Sequence, residues 1–147
     1  MNKKYKRWLY VFLWALIIFM FSNQNGNDSS NNNKFIIHIL KLLNINIDYI
    51  FKNKTDFIIR KSAHFTEYFI FCYLIFKALY LDLDRKKSLL LSLLFTFLYA
   101  CSDEFHQMFV AGRGPSFKDV MIDTFGGVFY LIINHFREIK RRRFIDI

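Results

Sequence analysis

The spacing of the apolar runs constrains the fold of this chain more than any other feature, because charged segments separate each run from the next. The first run, residues 8–21, is unbroken over 14 residues. A membrane-spanning helix needs about 20 apolar residues, and Tyr5, Lys6 and Arg7 can extend the run because long basic side chains reach back to the interface. We therefore predict an uncleaved first helix, with a signal peptide as the alternative.

Three further apolar stretches follow, and the four together predict an all-α fold, an integral membrane four-helix bundle. Apolar residues make up 54% of the chain, which contains 19 Phe but only one Pro. That composition is ordinary for membrane helices and rich for a soluble domain. The predicted transmembrane helices of this single domain, residues 1–147, cover approximately residues 6–22, 62–81, 88–108 and 117–136.

The connection after the first predicted helix has two parts. Residues 22–34 are polar and low in complexity, which is typical of a flexible loop. Residues 35–47 are apolar but interrupted by His38, Lys41 and two asparagines, so this stretch is too short and too polar to span. We predict a short interfacial helix within the first outer loop.

The basic residues predict the orientation of the bundle. Residues 3–7, 82–87 and 137–143 contain four, three and five Lys and Arg residues, and four spans place all three segments on one side. The positive-inside rule makes that side cytoplasmic, which predicts an N-in, C-in topology. A net charge of +9 would suggest nucleic acid as the partner of a soluble chain. Here the charges flank apolar runs, so we predict membrane lipid as a partner and no nucleic acid.

Ionisable residues converge on the outer end of three predicted helices. An ionised side chain at the bilayer centre costs about 3 kcal/mol by insertion scales, so these groups must pair, bind an ion or line a wet cavity. The candidate functional cluster comprises Lys61, His64, Glu67, Tyr68, Asp103, Glu104, His106, Gln107, Arg113, Ser116, Asp119 and Asp123.

Helical spacing predicts that these residues face the bundle interior, because lipid would not solvate them. On the third helix, a polar stripe recurs at spacings of three and four residues: Ser88, Ser92, Thr96, Tyr99, Asp103 and His106. On the fourth helix, one face carries Ser116, Asp119, Asp123, Gly126 and Gly127. The two glycines would let another backbone approach closely.

Several members of the cluster also have purely structural interpretations. Ser116 and Asp119 fit a capping box at the start of the fourth helix. Arg113 suits pairing with a headgroup phosphate or with Glu104, and Lys61 suits an interfacial anchor. Cap and anchor roles do not suit Glu67, His106 or Asp123.

Three segments together resemble the VanZ-like family of bacterial membrane proteins: RKSAHFTEY at residues 60–68, SDEFHQ at 102–107 running into VAGR at 110–113, and SFKDVMID at 116–123 followed by Gly126. The FSNQ segment at residues 21–24 also resembles the start of that family, and the resemblance covers nearly the whole chain. The chain departs from the family at Ala111, where proline is common, in the turn and outside the ionisable set. The resemblance implies a multi-pass protein of the bacterial cytoplasmic membrane. The family's founding members are associated with reduced susceptibility to teicoplanin, a lipid-tailed glycopeptide.

Three functional hypotheses remain open on the sequence. In the first, the protein contributes to glycopeptide tolerance or cell-envelope homeostasis by binding a lipid-tailed glycopeptide or a lipid-linked cell-wall precursor. In the second, it is an intramembrane enzyme acting on a lipid-linked substrate, with a His and carboxylate base or with a divalent metal as cofactor. The possible metal ligands are His64, Glu67, His106 and Asp123, with Glu104 as a further choice. In the third, it is a small ion-coupled transporter, although four helices without an internal repeat disfavour a monomeric one.

Overall fold

Four helices account for most of the described part of the chain. The computed structural model describes residues 2–25, Ile37 and 54–145, and this part of the chain contains no strand. The helices are α1 (Lys3–Ser22), α2 (Thr55–Leu79), α3 (Arg85–Gln107) and α4 (Phe117–Ile145). The all-α class is therefore confirmed, whereas the predicted interfacial helix falls, apart from Ile37, outside the described residues.

Local capping explains where two of the helices begin. The Asn2 side chain accepts a hydrogen bond from the backbone N–H of Lys4 at 3.2 Å, and α1 starts at the next residue after Asn2. The Asp84 side chain accepts from the N–H of Lys87 at 3.0 Å, so it caps α3 in the same way. That bond holds the pKa of Asp84 below its ordinary value. The short segment between α2 and α3 makes the two helices antiparallel neighbours.

α2 lies at the centre of the bundle. It packs most extensively against α4, and it also contacts α3 and α1, whereas α1 touches α3 only over a short stretch. The closest approach is at Gly126, where an added Cβ would overlap the carbonyl oxygen of Phe65 and lie 3.0 Å from the backbone nitrogen of Phe69. The absence of a side chain at Gly126 thus sets the distance between α2 and α4, as the sequence predicts for this position.

The polar stripe of α3 is divided between two neighbours. Ser88, Ser92, Thr96 and Asp103 are buried in the bundle. The Tyr99 hydroxyl instead donates to the carbonyl oxygen of Ala15 on α1 at 2.7 Å. The stripe is wide enough to face both the interior and α1, so the prediction that all of it faces the interior holds only in part.

The outer surface of the helices is strongly apolar. Among the described residues, α1 and α3 are long and apolar enough to span a membrane. Large apolar side chains are exposed on the other helices too, among them Phe117 at 75% and, in the turn before it, Phe109 at 73%. Soluble monomers rarely expose contiguous apolar surface on this scale. The four-span topology and its orientation stay predictions.

We expect Gly126→Ala to destabilise the protein by roughly 1–3 kcal/mol, because the added methyl meets main-chain atoms that cannot rotate away. Gly114→Ala is the matched control, since nothing lies within 4 Å of a Cβ at that position. Thermal unfolding of the purified protein in detergent should show a lower Tm for Gly126→Ala and an unchanged Tm for Gly114→Ala. Equal Tm values for Gly126→Ala and wild type would refute the close approach.

Candidate functional site

Three ligand-type side chains from three helices meet at one end of the bundle, which we call the cluster end: the end where α2 and α4 begin and α1 and α3 finish. His64 on α2, Asp103 on α3 and Asp123 on α4 each bring one atom to within 4.8 Å of the others. They are 9%, 4% and 0% exposed. His64 Nδ1 lies 3.7 Å from Asp123 Oδ1, too far for a good hydrogen bond.

Several buried polar atoms around this triad have no hydrogen-bond partner among the described residues. They include His64 Nδ1, one oxygen of Asp103 and both oxygens of Asp123. Buried polar atoms in proteins are nearly always hydrogen-bonded, so such a concentration requires an explanation. The other buried side-chain atoms without a hydrogen-bond partner in the described residues are Tyr68 Oη, Glu104 Oε1, Arg113 Nε and Thr124 Oγ1.

Glu67 and Tyr68 extend the triad along α2. Glu67 Oε2 lies 4.0 Å from His64 Nδ1, about one helical turn away. The same Glu67 lines an otherwise largely apolar groove of about 390 Å³ between α1 and α2, which Trp14 also borders. Tyr68 is fully buried, and its hydroxyl lies beside the Asp103 carboxylate. Glu67 is therefore an acidic group that both approaches the triad and borders a surface groove.

A hydrogen-bonded relay connects the triad to the end of α1. Gln107 Nε2 donates to Ser22 Oγ at 2.9 Å and to Asp103 Oδ2 at 3.4 Å. Ser22 is 1% exposed and was absent from the predicted cluster. The FSNQ segment is the sequence signal that marks it. Gln107 thus positions Asp103 by connecting it to a neighbouring helix.

His106 lies apart from the triad. Its Nε2 is 3.2 Å from Asn23 Oδ1, and its ring packs on Phe19 with centroids 4.7 Å apart. Three residues along a helix turn the side-chain direction by about 60°, and on α3 that rotation points His106 towards α1. Of the four predicted metal ligands, His64 and Asp123 belong to the triad and Glu67 lies beside it. His106 lies outside the triad, and its third member is Asp103.

The basic residues form the outer boundary of the site. Lys61 pairs with the Asp119 carboxylate, which links α2 to α4. A polar cavity of about 130 Å³ lies next to this pair and is lined by Arg60, His64, Gln107, Gly112, Arg113, Gly114 and Asp119. Gly112 has a φ of 75°, a conformation that suits glycine and turns the chain around the cavity.

The turn between α3 and α4 holds Arg113 over the cluster. Burial lowers the pKa of the Arg113 guanidinium, and repulsion from Arg60 lowers it further. Glu104 Oε2 accepts the backbone N–H of Ser116 at 2.8 Å, so a buried carboxylate fixes the end of the turn. Five further residues of the predicted cluster therefore lie around the triad: Lys61, Glu104, Arg113, Ser116 and Asp119.

Comparisons with known proteins identify one family. A model of the family described as VanZ/LLP1 matches residues 7–137. No curated protein and no solved structure matches the chain.

We expect Glu104→Ala to loosen the turn between α3 and α4, because Ser116 loses the acceptor of its buried N–H. Hydrogen–deuterium exchange across residues 112–118 should be faster in Glu104→Ala than in wild type. Glu104→Gln keeps an acceptor oxygen in place and should exchange at nearly the wild-type rate. Equal exchange in all three proteins would show that Glu104 does not hold the turn.

Proposed function

The chain belongs to the VanZ/LLP1 family, and we propose that it is a multi-pass protein of the bacterial cytoplasmic membrane that contributes to glycopeptide tolerance or cell-envelope homeostasis. In this proposal, the cluster end binds the charged group of a lipid-tailed molecule, either a glycopeptide such as teicoplanin or a lipid-linked cell-wall precursor. One observation carries it: a buried ionisable cluster opens through a basic cavity at one end of an apolar-surfaced bundle.

The distribution of polar and apolar surface supports the proposed membrane location. Large exposed apolar side chains are numerous on α1, α3 and α4, while four ionisable groups of the cluster, His64, Asp103, Glu104 and Asp123, are buried. Four spans in the N-in, C-in orientation place the cluster end at the outer leaflet. A lipid-tailed molecule in that leaflet has its polar group at the same depth.

The cavity suits a small anionic group. Its volume of about 130 Å³ corresponds to roughly four waters at about 30 Å³ each. A cavity of this size admits a phosphate or a carboxylate group and excludes the rest of a larger molecule. Arg60 and Arg113 line it, and the planar guanidinium group matches such anions in a two-pronged geometry. The separate groove between α1 and α2, bordered by Trp14 and Ile70, offers an apolar surface for an acyl chain.

Binding accounts for the structure better than transport does. A transporter needs a polar path from one end of the bundle to the other. Beyond the cluster, the interior is closed by Ser88, Ser92, Thr96 and Cys72, all 0% exposed. The thiol of Cys72 lies 3.6 Å from the Ser92 hydroxyl, and the hydroxyls of Ser92 and Thr96 donate to carbonyl oxygens of their own helix.

A susceptibility test in a Gram-positive host examines this proposal. Wild type, Arg113→Ala and Arg113→Lys are expressed at matched membrane levels, and growth is titrated against teicoplanin and against vancomycin, which has no lipid tail. We expect wild type to raise teicoplanin tolerance several-fold and vancomycin tolerance less. Arg113→Ala should lose the gain, and Arg113→Lys should keep part of it, because lysine retains the charge without the two-pronged geometry.

His135→Ala is the matched control, because His135 is exposed on α4 far from the cluster and its loss should leave tolerance unchanged. If wild type does not change teicoplanin tolerance at matched expression, glycopeptide tolerance is not a function of this chain. If Arg113→Ala retains the full gain, the cavity is not the binding site.

A further inference from the structure

The triad of His64, Asp103 and Asp123 has the composition and convergence of a metal site. One ligand atom from each residue lies within 4.8 Å of the other two, and the three residues come from α2, α3 and α4. We propose that these side chains bind one divalent transition-metal ion, Zn²⁺ or Mn²⁺. The proposal does not depend on glycopeptide or lipid binding in the neighbouring cavity.

A bound cation would satisfy the atoms that the protein leaves without partners. His64 Nδ1, Asp103 Oδ1 and both oxygens of Asp123 are buried and lack a hydrogen-bond partner among the described residues. All four are lone-pair acceptors when His64 is neutral with its proton on Nε2 and the carboxylates are ionised. The Tyr68 hydroxyl lies beside the Asp103 carboxylate, but His64 Nδ1 and both oxygens of Asp123 still lack a partner among the described residues, and a single cation satisfies such a group at once.

The donor set indicates the class of metal. Imidazole nitrogen suits Zn²⁺ and other first-row transition metals, carboxylate oxygen suits Mn²⁺ as well, and Ca²⁺ and Mg²⁺ favour sites made of oxygen alone. Donors around a tetrahedral Zn²⁺ lie roughly 3.3 Å apart, given metal–ligand distances of about 2.0–2.1 Å. His64 Nδ1 and Asp123 Oδ1 are already 3.7 Å apart. Completing the geometry would require the carboxylates of Asp103 and Asp123 to move closer to His64 Nδ1.

Glu67 provides a further donor or holds a metal-bound water. Its Oε2 lies 4.0 Å from His64 Nδ1, and Glu67 also borders the groove between α1 and α2. Three protein donors leave at least one coordination position for water. Gln107 contacts the second oxygen of Asp103, so it orients this ligand in the way that outer-shell groups orient metal ligands.

The charges around the triad are mixed, because Lys61, Arg113 and Arg60 act on His64 while carboxylates lie on all three helices. Lys61 is neutralised by its pairing with Asp119, which reduces the repulsion that it would exert on a metal. Besides His64, the ionisable side chains of the triad and its surroundings are Arg60, Lys61, Glu67, Asp103, Glu104, Arg113, Asp119 and Asp123. Carboxylates outnumber basic groups in this set, and a divalent ion would offset the excess negative charge.

The alternative is a metal-free site in which a protonated His64 pairs with Asp123. The two arrangements make opposite predictions for Asp123→Asn. Without a metal, the substitution removes a partner of His64 and should lower the Tm of the protein. With a metal site, the metal-free protein loses a buried carboxylate that has no partner, so its Tm stays equal or rises. In the same arrangement, adding metal should no longer raise the Tm of Asp123→Asn, because the variant lacks one of the metal ligands.

The experiment uses full-length protein purified in detergent through a tag that contains no histidine. Metal content is measured by inductively coupled plasma mass spectrometry. The protein is then stripped with EDTA, and its Tm and binding isotherms are recorded with Zn²⁺, Mn²⁺ and Mg²⁺. We expect one ion per chain and an increase in Tm with Zn²⁺ or Mn²⁺. Affinity should fall at least about tenfold in His64→Ala, Asp103→Asn and Asp123→Asn.

Three variants serve as controls. His106→Ala removes a histidine from the cluster end that contacts Asn23 and Phe19, outside the triad. His135→Ala and Asp82→Asn remove exposed side chains far from the site. All three should bind metal as wild type does. Wild-type protein that binds none of the three ions overturns the proposal, and so does unchanged affinity in the triad variants. Loss of teicoplanin tolerance would not affect either result.

Discussion

Both carboxylate oxygens of Asp123 are completely buried and reach no hydrogen-bond donor among the described residues. Leaving such a group unsatisfied costs free energy that packing elsewhere must offset. The arrangement of the cluster end follows from this constraint: Lys61 pairs with Asp119, Gln107 fixes Asp103, and Glu104 closes the turn. These contacts pair Lys61 with Asp119 and provide a partner for one oxygen each of Asp103 and Glu104, and they leave the central triad open to a ligand.

The rest of the bundle contributes rigidity to this site. Gly126 lets α2 and α4 approach closely, one turn from Asp123, and the small residues Ser88, Ser92 and Thr96 fill the interior beyond it. His64 and Asp123 therefore project from helices whose separation is set by backbone contact. A site held in this way keeps its donors close together even though they repel or lack partners.

The sequence predicts the helices and the composition of the cluster because both depend on local patterns, namely apolar runs and spacings of three and four residues. It does not predict which ionisable residues meet. His106 and Asp103 lie on adjacent faces of α3, and the position of α1 decides that His106 contacts Asn23 while Asp103 joins the triad. Ser22 enters the site for the same reason. The packing of α1 against its neighbours depends on tertiary contacts between distant segments, which a local pattern does not encode.

Binding of a lipid-tailed molecule in the outer leaflet requires the cluster end to face the outside of the cell. A cysteine at Gly114, where a side chain has open space, reports this directly in a background with Cys72 and Cys101 replaced by alanine. Intact cells are treated with a membrane-impermeant maleimide, and a cysteine at the exposed Asp82 serves as the opposite-end control. We expect the maleimide to label the cysteine at position 114 in intact cells and the cysteine at position 82 only after lysis. The reverse pattern would contradict this orientation.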